Sequence, residues 1–573
     1  MKNFCRFALL ALIAARPFPS IAAKAFPPPS DPVDTAVVIR ERLAVSPRGE
    51  GLVCNGDCLV GSEALQRFYE RRMYEPAWTR DGMPLANIDD MIRVLAQVWL
   101  DGLKSGAYHL EPIRSALDAV QTDRRGAAGD SALRLADLDL LLSDAFILLA
   151  THLASGTVEP AMIESEWFIQ VNRPDAAAVL RRALNMSDVA GALDTLRPSR
   201  PEYASLREAL RELTNVVARG GWPPVPIGPS IRPGDSGPRV LALRERLALG
   251  GDLAAGSAAA GPAAAADVYD DTVAAAVRRF QTRLGTAPDG VVGQETLASL
   301  NVSAEERLTQ LKVNLERWRW LPRDFGRRYL MINIPAFHLD LVENGSVTLD
   351  MRVVVGSNAA QTPVFEEMMT TIEVNPVWNV PATIAAKEIV ANVKREPGYF
   401  RRWGYKLYDG WGAGASEIDP SAVDWNALNE SNFRYRVLQA PGPLNSLGRL
   451  AFLFPNPWAV YLHDTPQREL FQQSTRSFSH GCIRIAWPLD LAVALLRNDP
   501  AWTKESLQAA IDGGANKMLS IPDPLPVYIV YLTAWREPDG AIHFRKDIYG
   551  RDAALAQALG GDIPPAPLPA TGR

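Results

Sequence analysis

Neither sign of charge dominates this chain. Lys plus Arg number 60 and Asp plus Glu 65, a formal net charge of −5 over 573 residues. The basic footprint of a nucleic-acid binder and the acidic run of a solvated tail are therefore both missing. No apolar stretch reaches the ~20 residues that a membrane-spanning helix needs. Hydrophobic residues at 47% and charged residues at 22% exclude a disordered, collagen-like or polytopic membrane chain. Cysteine is rare, four in all, so each one calls for an account. Gly, at 41, and Pro, at 44, are plentiful. They leave room for linkers between the roughly four structural units that ~150 residues per domain would allow.

The N-terminus points to a compartment. Lys2 and Arg6 precede the short apolar run Phe7–Ala15, and the small residues Ala22, Ala23 and Ala25 follow. This is the pattern of a secretory signal over residues 1–25, which predicts export. Residues 26–60 open with Phe26-Pro27-Pro28-Pro29 and read as a tether. Cys5 falls in the signal. Cys54 and Cys58 bracket the turn-prone Asn55-Gly56-Asp57 and, in an oxidising compartment, can close a small disulfide loop. Cys482 has no partner nearby in the sequence.

The periodicity then changes along the chain. Residues 61–226 carry apolar positions near helical spacing, among them Leu133, Leu140, Leu141 and Phe146 to Leu149, and read as a helical scaffold. His109 and His152 in it are isolated and read as structural. The Pro-rich stretch Gly220 to Pro226 ends this block. In residues 227–302, Val240, Leu243 and Leu247 form one amphipathic helix, and Val273, Val277, Phe280 and Leu284 another. Between them Ala254 to Ala266 reads as a flexible insertion. After them, the turn Asp289-Gly290 leads to a last helix through Leu297 and Leu300. A linking helix over 303–328 ends in Arg317-Trp318-Arg319-Trp320, a run that either packs domains together or stacks on sugar.

From Tyr329 the period is two. Leu330, Ile332 and Ile334 alternate, and so do Val347, Leu349, Met351, Val353 and Val355 after Asn344-Gly345. Asn-Gly between alternating runs is a hairpin signal, because both residues tolerate positive φ. The alternation lapses at about 395–448, where Trp403, Trp411 and Trp425 crowd together, and this reads as a lid-like insertion. The fold class is thus multidomain α+β: a helical scaffold, a small three-helix module and a mainly-β domain over 329–540, with a tail over 541–573.

Candidate chemistry gathers in the β domain. His463 ends a strand in Tyr461-Leu462-His463-Asp464, and nineteen residues on stands Cys482 in Ser479-His480-Gly481-Cys482-Ile483-Arg484. A thiol with a free pKa near ~8.5 is mostly protonated at neutral pH and needs a base to become a nucleophile. An imidazole can take that proton and return it to a leaving amine. Residues i and i+2 of an extended chain share a face, which would set His480 beside Cys482; if the segment bends, His463 is the better base. Gly481 leaves neighbouring amides open to form an oxyanion hole, and Arg484 is placed to bind a carboxylate. A zinc site from His463, Asp464, His480 and Cys482 matches no closed ligand spacing, so no metal is expected.

Two resemblances add to this. Gly234-Asp235, Val240, Leu243, Leu247, Phe280-Gln281, Asp289-Gly290, Gly293 and Thr296 resemble the peptidoglycan-binding type 1 module, which implies peptidoglycan as a partner. His463 followed by Ser479-His480-Gly481-Cys482-Ile483-Arg484 resembles the YkuD-type L,D-transpeptidase signature. Asn375-Pro376-Val377-Trp378 resembles that family's substrate-groove segment, and the domain order is similar to the large YcbB-like periplasmic members. The resemblance implies Cys482 as nucleophile and His463 as general base, oriented by the Asp464 carbonyl. His480, Gly481, Ser479 and Arg484 would shape the pocket, with Tyr461, Asn375 and Trp378 lining it. It further implies a periplasmic enzyme forming 3→3 cross-links without a cofactor and open to acylation by carbapenem β-lactams. An L,D-carboxypeptidase and a non-catalytic wall-binding scaffold are the alternatives.

Overall fold

The computed structural model describes residues 34–44, 53–54, 57–60, 62–123, 131–254, 267–412 and 414–560. The expected signal and the centre of the Ala-rich insertion lie outside the described residues. The chain forms two compact units. One takes in the described chain up to Val158 together with Gln170–Asn215 and Leu311–Arg323; the other takes in Glu159–Ile169, Val216–Gln310 and the chain from Asp324 onward.

The first unit is helical. Its centre is the helix Ser131–Ser155, buried on nearly every side, as a helix apolar all round must be. Asp139 on this helix accepts from the Ala77 and Trp78 N–H groups, each at 2.8 Å, and from the Tyr69 hydroxyl at 2.5 Å. One buried carboxylate thereby pins the aromatic turn that follows the helix Ser62–Arg71. His109 pairs with Asp144 at 2.9 Å and His152 with the Tyr108 hydroxyl at 2.9 Å, so both histidines have structural partners. Two expectations change here. Part of the tether is a helix, Thr35–Ala44, because Val38, Ile39 and Leu43 bury against the core. Cys54 is a free thiol, fully buried, and no disulfide holds it. Burial and the Asp137 carboxylate beside it push its pKa up to about 12. The Arg317–Trp320 run is a packing element: all four side chains are buried, and Arg319 bonds the Asp101 carbonyl at 2.7 Å and the Tyr203 hydroxyl at 3.1 Å.

The second unit contains the three-helix module and the β domain. The module helices are Pro238–Leu249, Asp271–Leu284 and Gln294–Leu300. Val240, Leu243, Leu247, Val277 and Phe280 close its core. Gln281 is buried and holds the Asp289-Gly290 turn, donating to Asp289 at 2.7 Å and accepting from the Gly290 N–H at 2.9 Å.

The β domain is built on nine strands: β1 Arg328–Asn333, β2 His338–Glu343, β3 Ser346–Gly356, β4 Phe365–Val374, β5 Leu450–Leu453, β6 Leu462–His463, β7 Ser477–Ser479, β8 Ile483–Ile485 and β9 Lys517–Val530. Their order is β7-β3-β8-β6-β5-β4-β9-β1-β2, and β2 also pairs with β3. That pairing closes all strands but β7 into a ring, so the domain has few open edges. Leu330, Ile332 and Ile334 are fully buried, and Asn344 and Gly345 take φ of 50° and 81°, as the hairpin requires. The insertion begins at Trp378, ahead of the expected 395. It is a small sheet of Glu417–Ile418, Tyr405–Tyr408, Arg436–Gln439 and Trp378–Val380, with the turns of 382–403 over its own core of Val380, Ile389, Phe400 and Leu407. Residues 542–558 are no tail. A strand, Ile542–Phe544, and a helix, Arg551–Ala558, belong to this unit.

Candidate active site

Two short parallel strands hold the candidate residues. β6 and β8 are in register with Leu462 opposite Ile483 and His463 opposite Arg484. Cys482 immediately precedes β8, so Cys482, Arg484 and His463 fall on one face of the sheet. His463 is buried. Its Nδ1–H donates to the Asp464 carbonyl at 2.5 Å; a carbonyl only accepts, so this bond fixes the tautomer and leaves Nε2 as the basic nitrogen. Burial first, and the Arg484 charge second, lower its pKa to about 3, against the Asp464 bond that raises it. At neutral pH the imidazole is therefore uncharged.

The thiol is uncharged as well. Burial raises the Cys482 pKa to about 11. The Tyr461 backbone N–H, the Arg484 guanidinium and the Tyr461 hydroxyl pull against that rise and offset it only in part. The resting Sγ–H points to the Ala459 carbonyl at 3.5 Å. Ala459 itself has a φ of 53°. The Asn456 side chain cinches that loop, donating to the Phe454 and Val460 carbonyls at 2.8 and 2.6 Å and accepting from the Val460 N–H at 3.0 Å. The Tyr461 and His463 rings lie 5.8 Å apart.

The loop that carries Cys482 bends at Gly481, where φ is 112°, a region that favours glycine. The bend turns His480 away from Cys482, so the two do not share a face. His480 Nε2 instead meets Glu388 Oε1 of the insertion at 2.5 Å. Ser479 is buried and spends its hydroxyl inside the loop, donating to the Cys482 carbonyl at 2.5 Å and accepting from the Gly481 N–H at 3.2 Å. The Cys482 N–H meets no acceptor among the described residues and is an open amide of the loop. Arg484 is held by Gln467 at 2.5 Å, and its Nε–H is buried without a partner among the described residues.

Residues 63–210 match the scaffold domain model, 236–300 that of a putative peptidoglycan binding domain, and 327–502 that of the L,D-transpeptidase catalytic domain named YkuD. A putative L,D-transpeptidase of Haemophilus influenzae is 34% identical over 267 residues, 46% of this chain and 53% of that protein. The chain thus spans about half the length of the curated relative it matches. Residues 327–502 are a YkuD L,D-transpeptidase domain. Among solved structures, an L,D-transpeptidase of Xylanimonas cellulosilytica is 16% identical, covering 53% of this chain and 99% of that one with a TM-score of 0.16. The L,D-transpeptidase of Stackebrandtia nassauensis is 13% identical, covering 54% and 96% with a TM-score of 0.19.

Within the transpeptidase domain, Cys482, His463, Gly481, Arg484 and Tyr461 come together, and Asp464 contributes its carbonyl. The Asp464 carboxylate faces away, to Arg468 at 2.9 Å and the Arg449 N–H at 2.9 Å. Asn375 is buried elsewhere. It donates to the Ala510, Ile511 and Ala515 carbonyls at 3.1 to 3.2 Å and accepts from Arg449 at 2.9 Å, so it braces the backbone. Trp378 packs inside the insertion, its ring 6.4 Å from that of Tyr405. Several positioning residues carried no signal in the sequence. Thr362 is fully buried and donates to the Gly481 carbonyl at 2.8 Å while accepting from the Gly356 N–H at 2.9 Å. Tyr549 locks the same turn, donating to the Gly356 carbonyl at 2.7 Å and accepting from the Thr362 N–H at 3.2 Å. Only glycine fits at 356, since a Cβ there would lie 2.2 Å from the Ala360 carbonyl oxygen.

Proposed function

We propose that the chain is an exported, periplasmic L,D-transpeptidase that forms 3→3 cross-links in peptidoglycan through a thioester on Cys482. The observation that carries this reading is the register of β6 against β8, which sets Cys482 and His463 on one face, together with the His463 Nδ1 committed to the Asp464 carbonyl. A thiol and an imidazole that are both uncharged favour proton transfer during attack over a standing thiolate. Cys482 adds to the carbonyl of the third stem-peptide residue of a tetrapeptide donor, and its proton passes to His463 Nε2. The Cys482 N–H and the Arg484 side chain stabilise the negative oxygen. The C–N bond breaks, His463 returns the proton to the nitrogen, and D-alanine departs. An acceptor amine then displaces the sulfur, giving the cross-link and the free thiol. The thioester keeps the acylating power of the amide, so the cycle draws on no nucleotide. The module at 236–300 supports peptidoglycan as the polymer partner. A carbapenem, itself a strained acylating amide, would enter the same chemistry and stop at the acyl-enzyme.

The test is mass spectrometry of muropeptides after incubating the full chain with tetrapeptide-containing peptidoglycan. Dimers joined 3→3 are expected. Tripeptide monomers alone would mean an L,D-carboxypeptidase, and unchanged muropeptides a wall-binding scaffold without catalysis.

A further inference from the structure

An acidic side chain stands where the first half-reaction has no use for one. Glu388 lies on the one-turn π-helical segment Ala385–Ile389 of the insertion, a backbone form that recurs at functional sites. Its Oε1 meets His480 Nε2 at 2.5 Å, two residues before Cys482. It is also among the charges that act on Arg484, two residues after Cys482. One carboxylate of the insertion thus meets the loop at His480, and its charge is felt at Arg484. Both it and His480 are half-exposed, so solutes reach them, and Oε2 has no partner among the described residues. The neighbouring Lys387 is turned to Glu430 at 3.5 Å and does not neutralise it.

Acylation develops negative charge on the carbonyl oxygen and releases an amino acid that carries a carboxylate; a nearby anion disfavours both. The second half-reaction brings in a cation, because an acceptor amine is an ammonium at neutral pH, whereas competing water is uncharged. We propose that Glu388 selects the acceptor: its carboxylate draws the ammonium of an incoming stem peptide to the Cys482 thioester and so favours amine capture over hydrolysis. The proposal rests on the acyl-enzyme reading above. The ammonium gives one proton through the Glu388–His480 pair to water. The amine then attacks the thioester carbonyl, the C–S bond breaks as the C–N bond forms, and the second proton passes by His463 to the departing sulfur. Nothing is oxidised or reduced.

The experiment uses the full chain with Glu388→Gln and Glu388→Asp, and a soluble tetrapeptide that serves as donor and acceptor. Cross-linked dimer, hydrolysed tripeptide and released D-alanine are measured together. In Glu388→Gln the dimer-to-tripeptide ratio should fall roughly fivefold, the equivalent of about 1 kcal/mol for a half-exposed ion pair, and further than D-alanine release falls. Glu388→Asp should restore part of the ratio. Hydroxylamine, a nitrogen nucleophile that is uncharged at neutral pH, should capture the acyl group as well relative to water in Glu388→Gln as in the parent. An unchanged dimer-to-tripeptide ratio overturns the proposal. So does a parallel loss of peptide and hydroxylamine capture, which would make Glu388 a prop for the loop. Absence of D-alanine release from the parent protein would overturn the acyl-enzyme reading itself, a failure distinct from either.

Discussion

The protonation states of two side chains set how the site works. Burial pushes Cys482 up to about 11 and His463 down to about 3. The sign follows directly: at neutral pH the proton sits on sulfur and the imidazole is free to accept it. Alkylation of Cys482 by iodoacetamide, which needs the thiolate, should therefore climb roughly tenfold per pH unit across about pH 6 to 9 with no plateau. A plateau near neutrality would reveal a standing thiolate–imidazolium pair and contradict the reading. His463→Ala removes the base and should cut D-alanine release by ~10²–10⁴-fold. His480→Ala should cost far less in that step, because its side chain points to Glu388 and not to Cys482. An equal loss in both variants would return His480 to the role of base. The residue types of this site were legible in the sequence: one lone thiol, two histidines and an arginine within a short span. Which histidine serves was left open by the residues alone, since it depends on the sign of one backbone angle, φ at Gly481; only the family resemblance pointed to His463.

At the scale of elements, the loop that carries Cys482 is held from below by residues far away in the chain. The hairpin at Asn344-Gly345 and the alternation of Leu330, Ile332 and Ile334 were legible because turns and pleats are local properties. The bond between Thr362 and the Gly481 carbonyl, 119 residues apart in sequence, and the Tyr549 anchor have no local trace. For the same reason residues 541–573 read as a tail, although Tyr549 supports the turn beneath Gly481. The insertion was detected by its tryptophans but placed late, because the short strand Trp378–Val380 and the helical turns after it keep enough Val, Ile and Ala to pass as more of the β domain. Thr362→Val would leave a buried carbonyl and a buried N–H unpaired, a cost of about 1–3 kcal/mol. Acylation should slow by roughly tenfold or more as the loop loses its position, with the rate of D-alanine release as the readout. A rate unchanged from the parent would show that the loop holds itself in place through Ser479 alone.

At the scale of the molecule, the three-helix module does not hang free of the rest of its unit. Arg283 on its second helix donates to the Ile542 carbonyl at 2.7 Å, and a Cβ at Gly285 would lie 2.6 Å from Arg545, so the module meets the strand Ile542–Phe544 and the residue that follows it, ahead of Tyr549. The module carries none of the groups proposed above to react. Deleting residues 227–302 should abolish most pelleting with sacculi, by removing a tether that raises local substrate concentration. It should also slow turnover of a soluble tetrapeptide by a few-fold, through that strand. Pelleting equal to that of the full chain would place the polymer contact elsewhere.

The central claim is that catalysis passes through an acyl group on one sulfur. It is tested most directly by incubating the full chain with a soluble tetrapeptide, quenching in acid and mapping the adduct by peptide mass spectrometry. A tripeptide acyl group, the donor less D-alanine, is expected on the peptide that contains Cys482, with no such group in Cys482→Ala. Turnover by a folded Cys482→Ala protein, or an acyl group on any other residue, would contradict it.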